Sequence, residues 1–443
     1  MNMKSNSVSA FLSKRVLWVS VLSLSFSMSE MYAENPAYNT VGVHNQIGVV
    51  KSVQAINPTT VEVVFANDER MSLDFFGENI FRAFQDNGGG IIRNPEAMPP
   101  AEILVQSPRR QVGNIAIDSK KDRTKISTKA IEISIDNNTG LMSVVNLKTG
   151  KRVLETLQPA EFQEDRVSLT LKETPDEYFY GGGVQNGRFS HKGKAISIEN
   201  QNSWTDGGVA SPNPFYWSTN GYGILWHTFN RGVYDFGHEE KGIVKLFHQT
   251  DYLDIFVMVN EGAVPLLNDY YQLTGNPVLM PKFGFYQGHL NAYNRDYWKE
   301  DESGILFEDG KRYKESQKDN GGIRESLNGE KNNYQFSARA VIDRYRNHDM
   351  PLGWLLPNDG YGAGYGQTET LDGNICNLKE LTDYAHKNGV EIGLWTQSDL
   401  HPKEGISALL QRDIVKEVRD AGVRVLKTDV AWVGAGYSFG LNG

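Results

Sequence analysis

Asp429 closes an apolar run, Val423-Arg424-Val425-Leu426-Lys427-Thr428, and is followed by Val430, Ala431 and Trp432. That run reads as a strand, so the aspartate stands at its C-terminal end beside an aromatic ring. A carboxylate held there can attack the anomeric carbon of a sugar, with Trp432 walling the ring. Aspartate at a strand end also caps turns, and position alone leaves both roles open. Asp359 repeats the pattern in Pro357-Asn358-Asp359-Gly360-Tyr361-Gly362. Its two oxygens can accept hydrogen bonds from adjacent sugar hydroxyls, and Trp354, Tyr361 and Tyr365 offer flat faces for stacking. An Asn-Asp-Gly run equally favours an Asx turn. Trp395 with Gln397 and Asp399 forms a third such group, and His289 with Asn291 a fourth. For Trp354 and Trp395, burial in a core is the ordinary alternative.

Each group follows a run that reads as a strand: Phe283 to Gly288, Pro351 to Leu356, Val390 to Thr396 and Val423 to Thr428. Helices are expected between them, over Ser337 to Asn347, Asn377 to Asn388 and Ile406 to Ala421. Ser337 is the expected cap of the first. Asn377 with Glu380 resembles a capping box, while Gly389 and Gly422 supply left-handed stops. Strand–helix alternation with short loops predicts parallel β/α units, whose functional residues gather at the C-terminal strand ends. Upstream, from about Gly42 to Leu273, the pattern is different. Ile131 to Ile135 alternates at period two, turns at Asp136-Asn137-Asn138-Thr139-Gly140, and alternates again from Leu141 to Leu147. Val61 to Phe65, Arg166 to Leu171, Gly223 to Thr228 and Tyr252 to Val259 fit further short strands, which together predict an antiparallel sandwich. The fold class is a β-sandwich over 34–275, then the first half of a (β/α)8 barrel over 281–443. Between Lys299 and Asn333, 16 charges in 35 residues and five glycines predict a solvated surface excursion, with a lid over the active face as the alternative.

Composition narrows the function. The 443 residues are 39% hydrophobic and include 8 Trp, 20 Tyr and 20 Phe, enough to bury large cores and to exclude disorder. A net charge of −9 argues against nucleic acid as a partner. The lone Cys376 excludes a disulfide framework and a cysteine zinc site. No histidine pair or acidic loop has metal-site spacing, so neither metal nor cofactor is expected. Tyr180-Gly181-Gly182-Gly183-Val184-Gln185-Asn186-Gly187-Arg188 lacks the Lys-Ser/Thr ending of a phosphate loop. Lys14-Arg15, the apolar run Val16 to Met28 and the small Ala33 read as a secretory signal over 1–33. A secreted or periplasmic protein is expected, with no membrane span once the signal is removed.

Several spaced motifs resemble glycoside hydrolase family 31. They are Tyr180-Gly181-Gly182-Gly183 with Asn186-Gly187-Arg188, His191-Lys192-Gly193, Pro214-Phe215-Tyr216-Trp217 with Gly221-Tyr222-Gly223, Tyr234-Asp235-Phe236, Gly284-Phe285-Tyr286-Gln287-Gly288, and Lys427-Thr428-Asp429-Val430. The resemblance implies a galactose mutarotase-like sandwich ahead of the barrel. It implies that Asp429 is the nucleophile of a retaining mechanism and that Asp359 holds hydroxyls of the −1 sugar. Tyr361, Trp395, Trp432, His289 and Asn291 would line the carbohydrate site, and Gln185 and Asn186 would reach its rim. The family's α-glucosidases carry Asp-Met-Asn-Glu at the nucleophile, where this chain has Asp429-Val430-Ala431-Trp432. That departure is similar to the α-N-acetylgalactosaminidase branch first and the α-galactosidase branch second. The expected substrate is a glycan ending in α-GalNAc or α-galactose.

A closed barrel of this kind needs about 200 residues or more. The chain offers 163 from Pro281, and the family's acid/base aspartate would fall beyond Gly443. The expectation is the front portion of a longer enzyme, inactive alone, with a non-catalytic carbohydrate-binding product as the alternative. An aldose epimerase would account for the sandwich and leave the strand–helix half unexplained.

Overall fold

The computed structural model describes residues 48–86, 103–201, 203, 205–292, 297–316, 321–329, 334–358, 372–397 and 414–429. The signal segment therefore lies outside the described residues, as do Asp359, Tyr361 and Trp432. The first half is a two-layer β-sandwich. One layer is an eight-stranded sheet that runs from Val50–Asn57 at one edge to Phe179–Gln185 at the other. The opposing layer consists of two five-stranded sheets. One is a meander from Ala116–Ser119 to Lys151–Glu155, and the other runs from Glu161–Phe162 to Ala195–Ile198. A single antiparallel bridge between Thr156 and Leu171 joins them along their shared edge.

Period-two alternation sends one side of each strand inward, and the inward residues form one continuous core. Val61, Phe75, Ile133, Leu169, Phe179, Tyr216, Trp226 and Tyr234 all belong to it. Ring packing closes its centre, with Phe179 stacked on Phe236 at 4.6 Å and Tyr216 edge-on to Phe236 at 5.1 Å. On the outer face of the long sheet, the helix α1 (Ala263–Thr274) buries Leu266 and Leu273 against Phe76, Phe215, Phe256 and Met258. Gly262 and Gly275 bound it, both at positive φ, where a side chain would be strained.

Residues after Pro281 build a parallel sheet of four strands, Gln287–Ala292, Leu352–Asn358, Glu391–Gln397 and Val425–Asp429, in that spatial order. Two helices, α2 (Ala338–Asn347) and α3 (Asp372–Lys387), cover one face of it. Val341, Ile342, Leu378 and Leu381 meet Leu355, Ile392, Leu394 and Val423 in a second core that shares no residue with the sandwich. Ser337 caps α2 by accepting from the Ala340 amide at 3.1 Å, and Gly389 and Gly422 turn at φ 72° and 81°.

Three expectations change. Lys282–Phe285 is a 3-10 turn rather than strand, because Gly284 and Tyr286 donate back three residues to Pro281 and Phe283. The first parallel strand therefore starts at Gln287. Asn377 does not open α3. It sits inside the helix, and its side chain accepts from Asn328 Nδ2 at 2.6 Å. The charged stretch after Trp298 is not a bare solvated loop. It contains a three-stranded antiparallel sheet of Tyr297–Leu306, Arg312–Ser316 and Ile323–Arg324. Trp298, Phe307 and Tyr313 pack with Phe336 as rings 4.9–5.5 Å apart.

Candidate functional site

All four parallel strands run the same way, so their C-terminal residues Ala292, Asn358, Gln397 and Asp429 share one edge of the sheet. Asp429 is in direct register with Gln397, and Lys427 with Trp395. Ile392 and Leu394 belong to the helix-covered core, so period two places positions 395 and 397 on the opposite, open face. Positions 427 and 429 share that face through the register. Asp359 and Tyr361 lie outside the described residues. Backbone topology alone thus brings positions 395, 397 and 429 to one edge of the sheet, beside Asn358 at the end of the neighbouring strand.

The open face also carries Trp354, whose indole lies across Gly288. A methyl at position 288 would stand 2.1 Å from the indole Cζ2, so only glycine allows the first two strands to pair with Trp354 in place. His289 takes the other side. Its ring packs edge-on to Tyr345 of α2 at 5.7 Å, with Nδ1 3.2 Å from the Tyr345 hydroxyl. Burial, with the Arg344 charge nearby, holds its pKa below the ordinary histidine value, which favours the neutral ring. The structure therefore seats His289 among helix contacts and not with Trp354 on the open face. Asn291 pairs in register with Pro357 near the rim. Tyr345, which fixes the histidine, went unremarked in the sequence. Its spacing from Val341 and Ile342 marks it as part of the same inward helix face.

In the sandwich, Gln185 and Asn186 are held by their own neighbourhood. Gln185 is 5% exposed, and its amide donates to the carbonyls of Gly182 and Ser197, each at 3.0 Å. Asn186 donates to the Ser203 carbonyl at 2.6 Å. These contacts brace the turn after Phe179–Gln185, and they leave Val184 and Phe189 as its exposed apolar residues. Gly183 has φ 79°, and a side chain there would meet the Ser211 carbonyl at 2.1 Å. The glycine run is thus a bulge against the strand Val209–Ser218, and no phosphate cradle is built from it.

Among the described residues, no group of three or more His, Cys, Asp or Glu is placed to hold a metal. None of their helices is long and apolar enough to cross a membrane.

Residues 70–235 match the family described as the glycosyl hydrolase 31 N-terminal galactose mutarotase-like domain. Those residues make up most of the sandwich, which is therefore similar to such a domain. Beyond this mutarotase-like part, an α-xylosidase from Saccharolobus solfataricus is 20% identical over 374 residues, covering 81% of this chain and 43% of that protein. The α-xylosidase XylQ of Lactiplantibacillus pentosus is 30% identical over 136 residues, covering 30% of this chain and 18% of its own length. The chain thus spans less than half the length of these relatives. Among solved structures, a Flavobacterium johnsoniae GH31 dextranase complexed with isomaltotriose superposes with a TM-score of 0.63 at 14% identity. That match covers 80% of this chain and 39% of the dextranase. A GH31 α-xylosidase from a soil metagenome complexed with xylose gives a TM-score of 0.60 at 14% identity, over 88% and 60% of the two chains. At such identities the likeness is one of fold.

Proposed function

We propose that the chain carries the nucleophile half of a retaining family 31 α-glycosidase, its parallel sheet being the first half of a (β/α)8 barrel. The single observation that carries this is Asp429, at the C-terminal end of the fourth parallel strand and in register with Gln397. In the retaining mechanism the Asp429 carboxylate bonds to the anomeric carbon as the glycosidic C–O bond breaks. A second carboxyl group, about 5–5.5 Å away, protonates the leaving oxygen. Water then releases the sugar from the ester with its configuration retained. Asp359 binds hydroxyls of the −1 ring, and Trp395 and Trp432 wall it.

For the sugar, Asp429-Val430-Ala431-Trp432 favours a terminal α-linked N-acetylgalactosamine, with α-galactose next. A second reading, α-xyloside, is favoured by the relatives named above. The substrate is in either case an external glycan, met by a chain exported through its 1–33 signal.

The test uses 5-fluoro-α-glycosyl fluorides of the N-acetylgalactosamine, galactose, xylose and glucose series on the 443-residue chain. Fluoride departs with the bonding electrons and needs no protonating acid, so capture depends on the nucleophile alone. Mass spectrometry should find one glycosyl ester on Asp429, formed fastest by the N-acetylgalactosamine reagent and absent in Asp429→Asn. Capture by the xylosyl reagent alone would establish the second reading. A folded chain that no reagent labels, or that is labelled elsewhere, would sink the assignment.

A further inference from the structure

A 460 Å³ cavity opens beside α1, lined wholly by the sandwich and its helix, within the range of roughly 300–1,000 Å³ usual for ligand sites. Helical spacing puts Asn268, Asp269 and Gln272 on one face of α1, and Asn260, Arg110 and Asn276, just past the helix end, complete the polar lining. Asp269 is only 3% exposed. Its Oδ2 accepts from Asn79 at 2.8 Å and Asn260 at 3.2 Å. Its Oδ1 has only the Arg110 guanidinium, 4.0 Å away. Burial pushes the carboxyl pKa up, against the pull of those donors. Gln272 donates its amide nitrogen to the carbonyls of Phe76 and Pro108, which forces its Oε1 the other way, buried and without a partner. Gln272 Oε1 is closed off from the cavity, so Asp269 Oδ1 is the acceptor left without a close donor, and burying it unpaired is costly.

We infer that this cavity is a saccharide-binding site separate from the parallel sheet, in which Asp269 Oδ1 accepts from a ring hydroxyl and the Asn268 and Asn276 amides donate to neighbouring ring substituents. The chemistry selects this ligand class. Arg110 and Asp269 offset each other, so an anion gains little and meets a carboxylate. An apolar ligand would strand every amide. A neutral ring supplies a hydroxyl for Asp269 Oδ1 and acceptors for the amides, and Tyr271, which also lines the cavity, gives its C–H face a partner. The site would hold a glycan on the sandwich while the rim at Asp429 works on another part of it.

Asn268 and Asn276 are exposed, so Asn268→Ala with Asn276→Ala leaves the fold intact. Calorimetric titration of the full chain with isomaltotriose, xylose and methyl α-N-acetylgalactosaminide should give saturable binding by at least one probe, with a Kd on the order of millimolar. The bound probe should slow hydrogen exchange over 260–276. The double variant should weaken binding by about tenfold or more, as expected for two lost hydrogen bonds. Its rate of Asp429 labelling should stay unchanged, so the two assignments fail independently. No saturation by about 100 mM of any probe, equal affinity in the double variant, or protection confined to the parallel strands would each overturn the proposal.

Discussion

Gly288 and Trp354 are a matched pair, because the indole occupies the volume that any side chain at 288 would need. Gly288→Ala should cost about 1–3 kcal/mol, the usual range for overpacking a filled site. The loss should show as faster hydrogen exchange in Gln287–Ala292, with the sandwich unaffected and a partial return on adding Trp354→Ala. Unchanged exchange would mean that the indole moves aside freely. The place of Asp429 was legible at this scale because a carboxylate after an apolar run marks a strand end whatever the fold. The side taken by His289 was not, since one residue of offset sends a side chain to the opposite face of a sheet. The strand begins at Gln287, after a turn whose Phe283 and Gly284 looked like part of the strand, and His289 falls on the face with Leu355.

The charged stretch after Trp298 is the clearest case among the elements. Asp309-Gly310, between the apolar Ile305 to Phe307 and Tyr313, is a hairpin signal masked by the density of charge. The strand Tyr297–Leu306 bulges between Glu300 and Ile305, which breaks the period-two pattern that would otherwise reveal it. Four rings hold the small sheet, and Trp298 Nε1 donates to the buried Glu325 at 2.8 Å. Phe336→Ala should remove about 3–5 kcal/mol of packing, as large-to-small changes at aromatic sites do. Exchange over 297–316 should then accelerate by orders of magnitude while Glu391–Gln397 keeps its protection. Equal acceleration in both would show the small sheet and the parallel sheet to be one cooperative unit.

At the scale of the whole molecule, the described residues form three apolar clusters, and the largest, inside the sandwich, holds a buried titratable group. His248 donates from Nδ1 to the Asn230 carbonyl at 2.8 Å, and Nε2 lies 2.9 Å from the Tyr234 hydroxyl. Burial holds its pKa at about 4, against an ordinary 6.5. Between those values the unfolded chain binds a proton that the folded one refuses. Stability therefore rises with pH from about 4 to 6.5 and is flat above, with a contribution of roughly 3 kcal/mol from this group. Thermal melts of the sandwich should fall on acidification through that window, and His248→Gln should flatten much of the fall. Identical pH profiles for the two would place the acid sensitivity elsewhere, at His191 or the carboxylates.

By itself, the amino-acid sequence determined the two architectures, their order, and the place of Asp429 at the end of the fourth parallel strand. Those depend on local periodicity and on turn residues, which act over a few positions. The bulged hairpin in the charged stretch, the seating of Trp354 on Gly288, and the side of the sheet taken by His289 were decided only in the tertiary structure. So was the polar cavity beside α1, where Asn79, Arg110 and Asp269 meet across up to 190 positions of chain. Their pairing depends on strand register and on which faces pack, and both are settled when whole sheets come together.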